Sequence, residues 1–405
     1  MGTTELLPKF KKKSSELLTK LIEIRRHLHA HPELSFVEYK TAEYISSILT
    51  QFGIEHTTGV AKTGIVGVLK GENKSSNTTI ALRADIDALP IYETTATPYQ
   101  SKNEGVMHAC GHDVHTTCLL GALLILKEFQ SEWSGTIKFI FQPGEEKLPG
   151  GASLLIEEGV LENPKPNSIF GQHVFPTMET GKVGFRKGMY MASTDEIYIT
   201  ITGKGGHAAM PHTYTNPILI ASKITTTLHE LFMDEQTKIE KQIPTVLAFG
   251  KIVGNGATNV IPDTVHIEGT FRTMNEAWRK KAHELLTQTT ERIAKSGNGS
   301  CIVDIKIGYP FLINNEIVTQ HAIEAAETYL GKENVEELEL RMTAEDFAYY
   351  SQIVPACFYR LGTGNKSKGI TSNVHTSTFD IDENALEIGT GLMAWLAVKE
   401  LSAAN

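Results

Sequence analysis

Hydrophobic positions along this chain recur at two spacings, and the switch between them predicts its elements. Leu17, Leu18, Leu21, Ile22 and Leu28 repeat at helical spacing ahead of Pro32, so an amphipathic helix capped by Ser14 or Ser15 is expected to open the chain. Short β-like runs at 80–83, 136–141 and 169–173 then alternate with helical stretches such as 115–129. That rhythm predicts an α/β unit with a largely parallel or mixed sheet. Near residue 190 the pattern changes. Residues 196–202 (EIYITIT) alternate with period two and run into the turn Gly203-Lys204-Gly205-Gly206. A helix over about 216–232, strands near 245–253 and 263–271, a helix over 276–294 and a strand near 301–307 complete a βαββαβ order, the ferredoxin-like split pattern. The α/β rhythm resumes at Tyr309 and ends in a helix near 383–400. The expected architecture is a large mixed-sheet α/β domain in two pieces, 1–190 and 308–405, with a ferredoxin-like domain, 191–307, inserted between them.

Length and composition narrow the class. At 405 residues, and about 150 per domain, two domains are expected. A 41% hydrophobic, 21% charged composition is that of a soluble globular protein. The net charge of −9 and the lack of a basic stripe argue against nucleic-acid binding, and Lys9, Lys11, Lys12 and Lys13 read as a solvated tail. Neither a signal-like opening nor an apolar run of about 18 residues is present, so a membrane role is not expected. Four cysteines, Cys110, Cys118, Cys301 and Cys357, are too sparse for a disulfide scaffold and point to a cytoplasmic, reducing setting.

Candidate chemistry is concentrated in a few segments. Residues 107–115 (MHACGHDVH) bring a thiol, three imidazoles and a carboxylate together, the ligand types of zinc and related metals. Glu145 and Glu146 leave a glycine turn after a strand-like run, where open α/β sheets place their sites, so one carboxylate can hold a metal while the other reaches its water. His173 stands at the expected end of another strand, and His375 lies in SNVHT (372–376). Asp85 and Asp87, at i and i+2 in RADIDALP (83–90), suit carboxylates that orient metal-bound histidines.

In this order the segments resemble the family of aminoacylases, hippurate hydrolases, indole-acetyl-amino-acid hydrolases and N-acetyldiaminopimelate deacetylases, a branch of the dinuclear metallopeptidases. The landmarks are RRHLHAHPELSFVE (25–38), RADIDALP, MHACGHDVH, FQPGEE (141–146), the stretch around His173, GKGGHAAMPH (203–212), NVIPD (259–263), GTFR (269–272), AEDFAYY (344–350) and VHTSTFD (374–380). The resemblance implies two divalent ions, of zinc, manganese, cobalt or nickel, held by Cys110, His112, Glu146, His173 and His375, with Cys110 able to bridge them. It makes Glu145 the general base and the inserted domain a lid and dimerisation domain. It also implies a homodimer or higher oligomer in which His207 reaches the partner's site to stabilise the oxyanion, while Asn259 and Arg272 bind the substrate's α-carboxylate. The chain departs from the family pattern at Lys147-Leu148-Pro149 and at Ala356 after Pro355, which bears on loop shape and substrate choice.

The expected activity is metal-dependent hydrolysis of the amide bond of small N-acyl amino acids. Three alternatives stand beside it. A dipeptidase or carboxypeptidase would use the same residues. A cysteine hydrolase would use Cys110 with His112 or His115 and leave Glu145, Glu146, His173 and His375 without a role. A non-catalytic metal protein would have no use for the spare carboxylate of Glu145.

Overall fold

The computed structural model describes residues 5–73, 75–238 and 243–403. The chain forms two compact units: Met1–Gly188 with Ile313–Glu339 and Asp346–Asn405, and Met189–Leu312 with Leu340–Glu345.

The first unit is built on an eight-stranded mixed sheet. Its strands lie side by side in the order His56–Val60, Gly64–Lys70, Thr136–Gln142, Thr79–Asp85, Ser168–Glu179, Ala356–Gly364, Val183–Phe185 and Val335–Glu337. The four central strands are mutually parallel, and an antiparallel strand flanks them on each side. Thr79–Asp85 and Ala356–Gly364 are buried at every position. Strands covered on both faces lose the in–out alternation of a half-solvated strand, and here the buried run includes Arg83, Asp85 and Arg360.

Helices Leu6–Ala30, His112–Glu128 and Ala385–Ala403 pack on one another beside this sheet. The opening helix starts at Leu6, eight positions before Ser14 (14 − 6), so neither serine caps it. Leu6 and Phe10 already belong to its buried stripe, and Pro8 falls in the first turn, where its missing N–H costs little. Ser14 is instead buried mid-helix. Its hydroxyl donates to Lys11 O at 3.0 Å and lies 3.3 Å from the hydroxyl of Tyr329.

The second unit has a four-stranded antiparallel sheet in the order Thr245–Val253, Thr264–Thr273, Asp195–Thr202 and Ser300–Ile307. With helices Pro217–Lys238 and Glu276–Ser296 between strands, this is the ferredoxin-like order. Period-two alternation does the sorting. Ile197, Ile199 and Ile201 face a core with Ile224, Leu228, Phe271 and Leu286, while Glu196 and Tyr198 face outward. Asn275 caps the second helix by accepting from Trp278 N at 2.8 Å. Among the described residues, no helix is long and apolar enough to cross a membrane.

Close packing makes one glycine in the first unit decisive. A Cβ on Gly391 would stand 1.9 Å from the Tyr329 hydroxyl and 2.8 Å from Ser14 Oγ. Alanine would improve helix propensity by about 1 kcal/mol, but overpacking costs about 1–3 kcal/mol. Gly391→Ala is therefore expected to destabilise the chain in urea unfolding, and a Tyr329→Phe background, which removes the colliding oxygen, is expected to shrink the loss.

Candidate metal centre

The C-terminal ends of the parallel strands build the site. Asp85 is the last residue of its strand, and Asp87 follows two positions on, in the loop. Glu145 and Glu146 follow the strand that ends at Gln142, after a turn through Gly144 at φ +61°. Only glycine fits that turn. Besides the positive φ, a Cβ there would lie 2.4 Å from the ring of Phe36. His173, expected at a strand end, lies inside Ser168–Glu179, which continues because Ala356–Gly364 pairs with it as far as Glu179. The register Arg83↔Gly171 nevertheless sets His173 level with Asp85, at the end of the neighbouring strand. Helix His112–Glu128 begins three residues earlier than its periodicity predicts (115 − 112), so His112 opens it.

These elements gather the predicted donors around one sulfur. The ligand atoms of Cys110, His112 and His173 lie within 4.8 Å of one another, and so do those of Cys110, Glu146 and His375. Cys110 Sγ belongs to both sets. It is 3.5 Å from His173 Nε2 and 3.3 Å from His375 Nε2, and the latter is 3.2 Å from Glu146 Oε1.

Hydrogen bonds decide which ring nitrogens are available. His112 Nδ1 faces two acceptors, Asp87 O at 2.9 Å and Asp87 Oδ1 at 3.1 Å, so it carries a proton. Its Nε2 is buried without a hydrogen-bond partner. His173 Nδ1 donates to Val174 O at 2.8 Å, leaving its Nε2 lone pair towards Sγ. His115 differs. Its Nδ1 donates to Asp85 at 2.6 Å and its Nε2 accepts Val174 N–H at 2.9 Å, so both nitrogens are committed. His115 stands near Asp85 and His112 with suitable atoms, but it has no lone pair left for an ion. The orphaned, buried His112 Nε2 and the inward lone pair of His173 Nε2, beside a thiol and the carboxylate of Glu146, fit a pair of divalent cations.

The electrostatics agree. Burial opposes ionisation of Asp85, yet His112, Arg83 and His115 hold its carboxylate well below the usual range. Burial likewise opposes charge on His112, but Asp85 and Asp87 raise its proton affinity well above that of an ordinary imidazole. A field that favours a proton there favours a metal cation too. Burial, with Glu146 adding, pushes the Cys110 thiol up. That is the wrong direction for a cysteine nucleophile, whereas a coordinating cation deprotonates a thiol outright.

The surrounding support was not assigned from the sequence. Arg83, buried, pairs with Asp85 at 2.6 Å and Asp346 at 2.7 Å. Asp346 also accepts from Gln142 Nε2 and Ala152 N, and its own N–H meets Glu145 Oε1 at 3.3 Å. Ser35 Oγ donates to Asp87 at 2.7 Å. Glu38 accepts Gly144 N–H at 2.9 Å and the Thr63 hydroxyl at 2.6 Å. The motifs around 25–38 and 344–350 carried this signal, without a role attached to each residue.

The remaining predicted residues belong to the second unit. His207 and Asn259 are neighbours there: Gly206–His207 pairs with Val260–Ile261, and Ala208 N donates to Asn259 O at 3.0 Å. The exposed His207 accepts Ala209 N–H at Nδ1, 3.1 Å, which leaves Nε2 as the ring's donor nitrogen. Arg272 lies on Thr264–Thr273 and donates to Met342 O at 3.0 Å.

Comparison with known proteins decides the family. Residues 81–399 match the model for peptidase family M20/M25/M40. The chain belongs to this family. It is 40% identical over 372 residues to an N-acetyl-L-cysteine deacetylase of Bacillus subtilis, covering 92% of this chain and 86% of that protein. It is 36% identical over 398 residues to thermostable carboxypeptidase 2 of Saccharolobus solfataricus, covering 98% and 99%. The solved structure of the Bacillus subtilis YXEP protein, described as a dinuclear metal binding peptidase from the M20 family, superposes with a TM-score of 0.80 at 34% identity, covering 96% and 99%. This M20 chain is thus a metal-dependent amidohydrolase, and its donor groups support two metal ions.

Glu38 gives the site a measurable pH signature. Burial, with Asp87 nearby, pushes its carboxyl from an ordinary 4.5 up to about 6. The folded state then keeps this proton more tightly than the unfolded state. Its contribution to stability is full below about pH 4.5 and is lost as pH rises through 6, about 2 kcal/mol in all. Denaturant unfolding of the wild type and Glu38→Gln at pH 4.5 and 7 is expected to show the variant gaining relative stability at the higher pH.

Proposed function

We propose that the protein hydrolyses the amide bond of small N-acyl amino acids, with Glu145 as general base beside two divalent ions. Cys110 Sγ carries this reading: one thiol belongs at once to a donor set with His112 and His173 and to another with Glu146 and His375. Glu145 is buried, and its carboxylate lies within 4.8 Å of ligand atoms of His112 and Glu146. Mixed thiolate, imidazole and carboxylate donors accept zinc, manganese, cobalt or nickel. When bound, the ions would lower a water's pKa from about 15.7 towards 7 and polarise the scissile carbonyl.

The chain's own groups supply the rest. Glu145 takes the proton of the attacking water and delivers it to the leaving nitrogen, an amine that departs badly unless protonated. Asp87 keeps the donor His112 fixed through Nδ1, and Asp85 does the same for the adjacent, non-ligating His115, so the His112 donor atom needs no rearrangement during turnover. In this reading the enzyme works as a homodimer, and the partner subunit's His207 offers its Nε2–H to the developing oxyanion. Asn259 and Arg272 bind the substrate's α-carboxylate, for which the forked guanidinium is suited. The similarity to an N-acetyl-L-cysteine deacetylase supports an acyl amino acid as substrate. The similarity to a carboxypeptidase supports a second reading, cleavage of small peptides by the same groups.

Glu145→Gln tests the assignment. The variant is expected to keep two ions per chain by elemental analysis while kcat falls about 100- to 10,000-fold with KM little changed. Turnover near the wild-type level would remove Glu145 from the mechanism.

A further inference from the structure

Arg25 lies outside the donor set, on helix Leu6–Ala30, and is fully buried. Its Nε donates to Asp113 Oδ2 at 2.9 Å and its Nη2 to Asp380 Oδ1 at 2.9 Å. The Tyr99 hydroxyl donates to the other Asp380 oxygen at 2.7 Å, and the Tyr99 ring lies 4.9 Å from the Arg25 guanidinium. His29 Nδ1 closes the cluster on Asp113 Oδ2 at 2.8 Å. A buried guanidinium is destabilising unless its partners are well placed, so two carboxylates on one planar fork form a stiff joint.

What the fork joins is informative. Asp113 is the residue after His112, at the start of helix His112–Glu128, and Asp380 lies five residues after His375 in the same loop (380 − 375). His112 and His173 are buried and each is locked through Nδ1. His375 is held differently. Its side chain is 51% exposed, its φ is +62°, and its N–H is tied to Ala109 O at 2.8 Å. The segment around His375 is thus tied by its backbone to Ala109, and a few residues on by Asp380 to Arg25 and Tyr99.

We infer that Arg25 and Tyr99 are positioning residues which, through Asp380, hold His375 against Cys110 and Glu146 and so set the affinity of one of the two ions. This rests on the two-ion reading above. An ion taken by Cys110, His112 and His173 would be held by buried groups, the two histidines locked through Nδ1, and none of the three lies on the loop that Asp380 anchors. Arg25 itself touches both sides, so the selective variants are Tyr99→Phe and Asp380→Asn. Tyr99 is only part-buried, and its phenylalanine variant removes a single hydroxyl.

The experiment strips the purified protein and returns zinc or cobalt stepwise against a competing chelator, following cobalt–thiolate absorption from Cys110. The expected result is a weakening of one ion by about 10- to 100-fold in Asp380→Asn, and in the same direction but less in Tyr99→Phe. The other ion should stay within about twofold of wild type, with its thiolate band present. Unchanged affinities in both variants, or an equal weakening of both ions alongside a lowered Tm, would overturn the inference. If the wild type itself takes up fewer than two ions, the two-ion reading falls, and the inference with it.

Discussion

The proton on His112 Nδ1 is the constraint from which the metal centre follows. Asp87 presents it with a backbone and a carboxylate oxygen, so the opposite nitrogen is left with a lone pair, buried and beside the Cys110 thiol, without a hydrogen-bond partner among the described residues. An uncompensated buried nitrogen is costly, and a cation is the partner that also suits the neighbouring thiol and carboxylates. Asp87 can do this because Ser35 satisfies its other oxygen, and Glu146 N–H donates to that oxygen at 3.0 Å. A chain segment over a hundred residues away from Glu146 therefore helps to place it, and Glu38, three residues on, holds the turn before Glu145 by accepting Gly144 N–H.

The sheet explains why so much charge can be buried there. Parallel strands end together, and Asp85, Gln142 and His173 reach the same level through the pairings Asp85↔Gln142 and Arg83↔Gly171. Arg83 sits one turn of the pleat below, compensating Asp85 and Asp346 at once. The site is thus the C-terminal rim of an α/β sheet, with its acids spaced by the strand register and its histidines brought in by one helix, one strand and one loop.

Residue type and spacing made much of this legible. The donor motifs were readable because a thiol, imidazoles and carboxylates sit densely on strand and turn boundaries, and the structure brings Cys110, His112, Glu145, Glu146, His173 and His375 together. The second unit's strands were readable because one face is solvated, which imposes period two. The buried central strand Ala356–Gly364 gave no such alternation, since both its faces are covered. The start of the first helix was misplaced because Ser14 looks like a cap, and only packing against Tyr329 shows that its hydroxyl is satisfied inside the helix. Pairings between distant segments, Arg25 with Asp380 or Arg83 with Asp346, have no local signature at all.

Removing and returning the metal tests the central claim most directly. The protein would be stripped with a chelator, verified free of metal, supplied separately with zinc, manganese, cobalt or nickel, and assayed on N-acetyl amino acids, hippurate and plain dipeptides. The account predicts that hydrolysis disappears on stripping and returns with two equivalents of a suitable ion, strongest on an N-acyl amino acid. Full hydrolysis by protein verified to hold no metal would contradict it.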